Sequence, residues 1–538
     1  MDSSSGHFVR VQVHIGFTTM VRKRQSVVNN TDEPTKSVAV SKKTSNAKNK
    51  APVVKAKEDK VKLTAASAEE KVLKVVNGKA SVKRKAPQDV SKDVKKAKHV
   101  GLAPVESSGV DEGATLITWG TGEMGQLGLG PDVLEKKRPA RVTAGTKYTH
   151  VALGGLHTVA VNLQGKLVSM GCNDEGVLGR HTEEEEEAFL PQPIVASSLP
   201  AGMKVASVAC GDSHSAVLTT QGKIFYWGNF RGIDGAMGLK KVGVTESVPT
   251  ELPLPKLSGG SSEADRHIIS MACGNAHVAF VTASGVALTV GAYDGGQLGR
   301  IPDRQCSDPG HRIIEKALTP QEVRFSKRRH FDACFATAFG TFFREKNSGK
   351  LFACGNNKVG QLGLALDKST SRDSTGWRIP FGMESPKLNQ LLKPGLSFEK
   401  VVGGRDHTLL LISDGNAYTV GSKDFCGVET DEATIVEPVH LNPLFAGIWK
   451  DGIVTDVAAN EIVSFAVVKS REKDSGGSED KFALFSWGYQ TLLQLARNTE
   501  EDCVEPEEVN LGSIVPLRVF AGGQHAALLG KETLADKQ

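Results

Sequence analysis

The chain has 538 residues, of which 39% are hydrophobic and 57 are glycine, and its formal net charge is +5. No apolar run reaches the roughly 18 to 20 residues that a membrane helix needs, so we expect no membrane span and no membrane partner. The eight cysteines form no Cys-x-x-Cys pair, and Met1–Met20 lacks the basic start and long apolar core of a secretory signal. Both features predict a reducing intracellular compartment.

The first 112 residues differ in charge from the rest of the chain. They hold 23 Lys and Arg against 12 Asp and Glu, whereas residues 113–538 hold 43 against 49. Their only aromatic residues are Phe8 and Phe17, so little apolar surface is available for a core, and we expect a disordered tail. A basic tail attracts polyanions such as DNA, although many solvated linkers are also rich in lysine.

Two basic clusters lie near the end of this tail, at the spacing of a bipartite nuclear import signal. They consist of Lys83, Arg84, Lys85 and of Lys95, Lys96, Lys98. The alternative is an ordinary run of charge, but the spacing favours binding to an importin and a nuclear location.

The body begins with a segment, Trp119-Gly120 followed by Gln126-Leu127-Gly128, that recurs along the chain. Similar copies start at Gly171, Gly228, Gly291, Gly355, Gly421 and Gly488, with spacings of 51 to 67 residues. Such regular spacing predicts one multi-stranded unit repeated seven times rather than separate domains.

A second signature, Gly-x-x-His followed by an apolar strand, lies between the copies of the first. Its histidines are His157, His214, His277, His407 and His525, and degenerate copies fall near Ala336–Gly340 and Asn460–Val463. The first Trp-Gly strand lacks a preceding Gly-x-x-His, and the last Gly-x-x-His lacks a following Trp-Gly, so the two ends complete one unit together. Closure removes exposed sheet edges, and we therefore predict an all-β, seven-bladed β-propeller over residues 113–531, with a short tail over 532–538.

No pattern in the body predicts covalent chemistry. Gly120–Gly125 matches a dinucleotide-binding motif, but the residues that follow do not read as a helix that could hold a pyrophosphate. One histidine at the same turn of five repeats is better explained as a structural hydrogen bond than as a base or metal ligand. We expect no cofactor, no metal, no catalytic residue and therefore no enzyme of covalent chemistry.

Function is expected where the repeat varies. After Trp227-Gly228, the usual Gln-Leu-Gly turn is replaced by an insertion that includes Asn229, Phe230, Arg231, Gly232, Ile233, Asp234 and Gly235. A turn-rich protrusion on a rigid ring is a candidate wedge against a partner, although a plain surface loop is the simpler alternative.

The body from about Ala114 to the C-terminus resembles the regulator of chromosome condensation family, nuclear exchange factors for the small GTPase Ran. The residues that carry the resemblance include Gly171–Gly176, Gly211–His214, Trp227–Arg231 and Gly522–His525, together with the basic tail. The resemblance implies that one face of the propeller receives Ran and that Asn229–Gly235 forms a β-wedge.

By this resemblance, Asp212, Arg300 and His525 would face the GTPase. Two positions depart from the family pattern: Ala276 stands where an acid is expected, and Asp406 stands where a histidine is expected. The first removes a charge from the face that would bind Ran, and we expect Asp406 to restore one in part.

The resemblance also implies nucleosome contacts on the opposite face. Arg304 and Arg312, within Ile301–Pro320, would contact the histone acidic patch, and Lys327, Arg328 and Arg329 would contact DNA. Basic side chains suit both targets, whereas the alternative for each is a solvated loop.

These observations together predict a monomeric, chromatin-bound exchange factor that generates Ran-GTP for nuclear transport and for spindle and nuclear envelope assembly. The alternative is a chromatin-associated propeller that acts as a scaffold, or that regulates another GTPase, without exchange activity on Ran.

Overall fold

The computed structural model describes residues 110–257, 262–306, 310–366, 378–449, 452–470 and 480–532. The predicted import signal and the rest of residues 1–109 lie outside the described residues, as does the segment 533–538. Within the described ranges, no helix combines the length and apolar character needed to cross a membrane.

The regular secondary structure of the described chain consists mostly of short strands. In the first half they are β1 (Thr115–Thr121), β2 (Glu135–Arg141), β3 (Tyr148–Leu153), β4 (His157–Asn162), β5 (Leu167–Gly171), β6 (Gln192–Pro193), β7 (Val205–Cys210), β8 (His214–Thr219), β9 (Ile224–Gly228), β10 (Phe230–Gly232), β11 (Gly235–Gly238), β12 (Glu246–Glu251), β13 (Ile268–Cys273), β14 (His277–Thr282), β15 (Ala287–Gly291) and β16 (Gln321–Glu322). In the second half they are β17 (Phe331–Ala336), β18 (Gly340–Glu345), β19 (Leu351–Asn356), β20 (Arg378–Glu384), β21 (Phe398–Val402), β22 (His407–Ile412), β23 (Ala417–Ser422), β24 (Thr434–His440), β25 (Ile453–Ala459), β26 (Val463–Lys469), β27 (Phe482–Gly488), β28 (Cys503–Glu508), β29 (Ile514–Ala521) and β30 (His525–Glu532).

Helices are few and short. The α-helices are α1 (Glu263–Arg266), α2 (Asp303–Cys306), α3 (His311–Leu318) and α4 (Pro386–Asn389), and 3-10 turns cover Glu185–Ala188, Ala196–Ser198, Lys423–Phe425, Asn442–Leu444 and Gly447–Trp449.

Seven four-stranded antiparallel sheets form the blades, which confirms the predicted propeller. Blades one to six are β3–β6, then β7, β8, β9 and β12, then β13–β16, β17–β20, β21–β24 and β25–β28. The seventh blade joins the two ends of the body in the order β2-β1-β30-β29. The first strand of each blade lies against that of the next, and β29 lies against β3, so the ring is closed. The predicted completion of one blade by both chain ends is therefore confirmed.

The core lies between neighbouring blades rather than within one sheet. Tyr226 of the second blade, for example, packs in one apolar cluster with Val278 and Val290 of the third. Trp119, Trp227 and Trp487 are fully buried, and each indole N–H donates to a backbone carbonyl of the preceding blade. The tryptophan of the repeated signature thus fastens one blade to the previous one.

Four of the Gly-x-x-His turns fasten their blade to the next one. At Gly211 a side chain would bring its Cβ within 2.0 Å of His214 Cε1, so only glycine leaves room for the imidazole to fold over the turn. Four of the five histidines share a hydrogen bond of 2.8–2.9 Å with a hydroxyl of the following blade: His157 with Ser215, His277 with Thr341, His407 with Ser464 and His525 with Thr158.

Burial lowers the pKa of all five, His157, His214, His277, His407 and His525 (the turn histidines), to about 3. A neutral imidazole held against a hydroxyl is a structural link, as the sequence predicted.

Strand direction defines two faces of the ring. The first and third strands of each blade run toward one face, which therefore carries the Gly-x-x-His turns and the connections from third to fourth strands; we call it the turn face. The opposite face carries the connections from second to third strands and from each blade to the next.

Candidate partner-binding site

A two-stranded hairpin protrudes from the turn face of the second blade. It is formed by β10 and β11, with Phe230 opposite Gly238 and Gly232 opposite Gly235. Ile233 at its tip is 82% exposed. The predicted insertion after Trp227-Gly228 is thus an ordered wedge-shaped hairpin, which we call the wedge (Asn229–Gly238).

The base of the wedge is buried. Phe230 is 0% exposed, and its ring centroid lies 4.7 Å from that of His214 and 6.5 Å from that of Tyr226. The Asn229 side chain accepts a hydrogen bond from the Gly238 amide (2.8 Å) and donates to Thr245 Oγ1 (3.1 Å). Of the predicted contact residues, Asn229 and Phe230 therefore hold the hairpin and do not offer surface to a partner.

Glu175, in the third-to-fourth connection of the first blade, braces one side of the wedge. One carboxylate oxygen accepts from Asn229 Nδ2 at 2.9 Å, and the other accepts from the Arg231 guanidinium, which is also its ion-pair partner. The wedge is therefore fixed at its base by apolar packing and along its side by a charged contact between two blades.

The Gly-x-x-His turns surround the mouth of the central channel and bond to one another. The amide of Gly155 donates to Asp212 O (3.2 Å), that of Asp212 to Asn275 O (2.6 Å), that of Asn275 to Ala338 O (3.1 Å), and that of Gly523 to Gly154 O (2.9 Å). Backbone bonds thus fix the turns, and the side chain at the second turn position is left free to vary.

Asp212 and Glu461 both occupy this second turn position, and both are half-buried. Glu461 Oε1 accepts a hydrogen bond of 2.8 Å from Asn275 Nδ2, on the other side of the channel mouth. Burial raises the pKa of both carboxyls; the negative charge of Asp212 raises that of Glu461 further, and Arg231 opposes the rise at Asp212. The two half-buried carboxylates thus repel each other and place negative charge beside the wedge.

Two more carboxylates belong to this region. Asp406 is half-buried in the fifth turn, and its Oδ1 makes no hydrogen bond to any described residue. Asp294 lies beside the wedge; burial raises its pKa, the charge of Arg378 opposes this rise, and the charge of Asp234 adds to it. A negative surface of this kind favours a partner that brings lysine or arginine.

The prediction that Arg300 faces a partner is wrong. Its side chain is 3% exposed, and its guanidinium donates to Lys316 O (2.9 Å), Ala317 O (3.0 Å) and Thr319 O (3.0 Å). The guanidinium holds the connection that contains α3 in place, because the end of this helix leaves backbone carbonyls that need a hydrogen-bond donor.

The same correction applies to His525. It is 0% exposed, and its Nε2 lies 2.8 Å from Thr158 Oγ1 beneath the turn. Its neighbours Gly523 and Gln524 are half-buried, whereas His525 itself is buried and joins the seventh blade to the first.

The basic residues Lys327, Arg328 and Arg329 lie on the opposite face, between β16 and β17. Lys327 and Arg328 are exposed. Arg329 is half-buried, pairs with Glu345 (2.7 Å) and covers the Phe352 ring at 4.0 Å from its centroid. Lys327 and Arg328 are therefore available to a partner, whereas Arg329 is engaged within the propeller.

Arg304 and Arg312 lie on α2 and α3, in the long connection between β15 and β16. The prediction that these two arginines lie on the opposite face is wrong, because a connection from a third to a fourth strand begins and ends on the turn-face side of the ring. Helix α3 packs beside β15, and α2 packs beside β20 of the next blade, so both occupy the outer rim between the third and fourth blades. Both arginine side chains are exposed.

Sequence reasoning missed Glu175, Asn275 and Glu461. Glu175 lies in a segment that matches the family signature, so the sequence does not distinguish it from a repeat residue. Glu461 lies in a degenerate turn, and the acid at its second position is the signal that could have identified it. Their contacts join blades that are far apart in sequence, which no local pattern reveals.

A family model described as an RCC1-like domain matches residues 115–528. The regulator of chromosome condensation of Xenopus laevis is 32% identical to this chain over 468 residues, covering 84% of this chain and 99% of that protein. The human protein of the same name is 32% identical over 433 residues, covering 78% and 91%. The guanine nucleotide exchange factor SRM1 of Saccharomyces cerevisiae is 24% identical over 422 residues, covering 72% and 81%.

Two solved yeast structures also match. Prp20p of Saccharomyces cerevisiae, described with its binding to Gsp1p and histones, superposes with a TM-score of 0.65 at 26% identity, covering 79% of this chain and 93% of that one. Yeast RCC1 (Prp20) bound to Kap60 gives a TM-score of 0.66 at 25% identity, covering 85% and 98%.

Proposed function

The chain belongs to the regulator of chromosome condensation family, and we propose that it is a guanine-nucleotide exchange factor for the small GTPase Ran that acts while bound to chromatin. The observation that carries the proposal is the wedge, a braced hairpin whose exposed tip stands on an acidic face. The names of two relatives support it: one is a guanine nucleotide exchange factor, and another binds Gsp1p and histones.

Exchange requires a binding surface and no covalent step of the protein's own. A GTPase that holds its nucleotide at nanomolar affinity contributes about 12 kcal/mol, so the factor must form a nucleotide-free complex of similar stability. Ile233 at the wedge tip can be buried against the partner, and Asp212 and Asp406 can pair with its lysines or arginines. A rigid wedge loses little conformational entropy on binding, so more of the contact energy remains to displace the nucleotide.

The proposed contact residues follow from exposure. On the turn face they are Arg231, Gly232, Ile233, Asp234 and Gly235 of the wedge, with Asp212 and Asp406 at the channel mouth. These side chains or backbones are exposed or half-buried, in contrast to the base of the wedge.

We propose that the opposite face and the rim hold the protein on chromatin. Lys327 and Arg328 would neutralise DNA phosphates, and Arg304 and Arg312 at the rim would contact acidic histone surface. The basic N-terminal segment with its import signal would take the protein to the nucleus through an importin, as the Kap60 complex of a relative suggests.

The two functions then use separate surfaces: the wedge and the channel mouth for Ran, and the opposite face with the outer rim for chromatin. A monomer can bind chromatin through its basic surface and receive Ran on the turn face, so that Ran-GTP is generated close to chromosomes. In this location it would serve nucleocytoplasmic transport and the assembly of the spindle and nuclear envelope.

Release of a fluorescent guanine nucleotide from purified Ran, with catalytic amounts of the full chain, tests the proposal. We expect strong acceleration by the wild type and its loss in Asp212→Ala and in a deletion of Asn229–Gly235. If the folded wild type gives no acceleration, the exchange-factor proposal is wrong and a chromatin-binding scaffold is the better description.

A further inference from the structure

Among the described residues, a side-chain hydrogen bond crosses the mouth of the central channel. It joins Asn275 Nδ2 of the third blade to Glu461 Oε1 of the sixth, at 2.8 Å. These blades lie on opposite sides of the ring, and the turns that carry both residues are fixed by their own bonds. Asn460 Oδ1 accepts from the amides of Ile462 and Val463, each at 2.9 Å, which holds the turn that presents Glu461.

The carboxylate of Glu461 therefore lies against the turn of the third blade. Ala276, the residue after Asn275, contributes no charge there and is buried. Asn275 is itself fixed, because its amide donates to Ala338 O at 3.1 Å and its carbonyl accepts from the Asp212 amide at 2.6 Å. The carboxylate of Glu461 is thus held beside Asp212 by an amide that does not neutralise it.

The charges around this carboxylate do not balance. Asp212 and Asp406 are negative neighbours of Glu461, and Arg405 is the cation that opposes them. Arg405 is exposed. The only arginine that acts on Asp212 among the described residues is Arg231, and Arg231 is already paired with Glu175. A half-buried carboxylate with too little compensating charge is costly to the free protein, and a cation brought by a partner would relieve that cost.

We propose that Glu461, positioned by Asn275 across the channel, is a specificity-determining residue that binds a lysine or arginine of the GTPase. The inference rests on the exchange function proposed above. It assigns the partner contact to the sixth blade, whose turn has Val463 in place of the repeated histidine and is joined to the seventh blade by a hydrogen bond from Asn460 Nδ2 to Gly522 O.

The alternative is that Glu461 only stabilises the ring. The two roles predict opposite changes in stability. Replacement by glutamine keeps an acceptor for Asn275 and removes a charge that burial disfavours, so the variant should unfold at the same temperature as the wild type or a higher one. A purely structural role of Glu461 predicts an unfolding temperature below that of the wild type.

The test compares nucleotide release from Ran for the wild type, Glu461→Gln, Asn275→Ala and the control Glu429→Gln. Glu429 is an exposed acid on the turn face of the fifth blade, so its replacement makes the same charge change away from the channel. We expect Glu461→Gln to raise KM roughly three- to tenfold, with kcat within about twofold, and to weaken the dependence of kcat/KM on salt. Asn275→Ala should raise KM in the same direction, and Glu429→Gln should match the wild type.

The outcomes separate this inference from the proposed function. If the wild type does not accelerate release, the exchange function itself fails. If the wild type is active but Glu461→Gln leaves KM and the salt dependence unchanged, or lowers the unfolding temperature while Glu429→Gln does not, Glu461 is a structural residue and the inference is overturned.

Discussion

Truncation of Ile233 at the tip of the wedge separates an effect on binding from an effect on folding. The side chain is 82% exposed in the free protein, so it contributes little to the core. Ile233→Ala should therefore change the free energy of unfolding by no more than about 0.5 kcal/mol. If the tip is buried against the GTPase during exchange, the same substitution weakens that complex.

The size of the loss follows from the groups removed. Ile→Ala deletes three carbon atoms, and each buried methylene contributes about 0.8 kcal/mol, so the complex should lose on the order of 2 kcal/mol. A loss of that size corresponds to roughly a 30-fold decrease in kcat/KM for nucleotide release. The decrease should be independent of salt, because the lost contact is apolar.

Stopped-flow release of a fluorescent nucleotide over a range of Ran concentrations measures this change. The matched control is Val504→Ala, which truncates another exposed aliphatic side chain, 51% exposed on the outer strand β28. We expect the control to retain wild-type kcat/KM. An Ile233→Ala variant with wild-type kcat/KM would refute insertion of the wedge tip, even if the deletion of the whole wedge is inactive.

Four further predictions concern the scaffold and the opposite face. Arg300→Ala should lower the free energy of unfolding by about 2–4 kcal/mol, since three carbonyls lose their donor, and should leave the exchange activity per folded molecule unchanged. A loss of exchange activity in samples with the same folded fraction as the wild type would show that Arg300 contacts the partner after all. Val278→Thr should raise the free energy of unfolding by about 1 kcal/mol by giving His214 the hydroxyl that the other turn histidines have, and a lower unfolding temperature would contradict this. Acidification from about pH 6.5 toward pH 3 should destabilise the fold by up to about 1.4 kcal/mol per pH unit for each turn histidine. The reason is that the pKa of these histidines is depressed in the folded state, so the unfolded chain binds more protons. Equal free energies of unfolding from urea titrations at pH 7 and pH 5.5 would contradict this prediction. Replacing Lys327 and Arg328 by alanine should reduce the slope of log K against log salt for nucleosomal DNA by roughly 2, whereas an unchanged slope would remove them from the interface.

The repeat and its closure could be predicted because each blade uses the same local rules. Glycine marks each turn where no Cβ fits, as at Gly211, and the tryptophan of the first signature binds the preceding blade. The phase between the two signatures required the ends to share a blade, and β1 does pair with β30. Local spacing was sufficient here because the same contacts recur at similar separations along the chain.

Exposure of single side chains could not be predicted in the same way. Arg300 follows a Gln-Leu-Gly turn and reads as a surface charge, yet it serves the carbonyls near the end of α3, 16 to 19 residues further along. His525 belongs to the Gly-x-x-His signature, which predicted a structural histidine. That prediction describes its buried position correctly, whereas the family resemblance did not. Glu461 meets Asn275 only because seven blades close into a ring, which no sequence window contains.

The wedge shows how a departure from the repeat can supply both a site and its support. His214 is the turn histidine whose expected partner position holds Val278 instead of a hydroxyl. Neither of its ring nitrogens forms a hydrogen bond to a described residue, and the ring instead packs against Phe230 at the base of the wedge. The link that the other turn histidines make is thus replaced by an apolar contact at the point where the chain leaves the blade. A mutation that restores the link should therefore change the wedge as well as the stability, so Val278→Thr is also a test of whether the wedge depends on that contact.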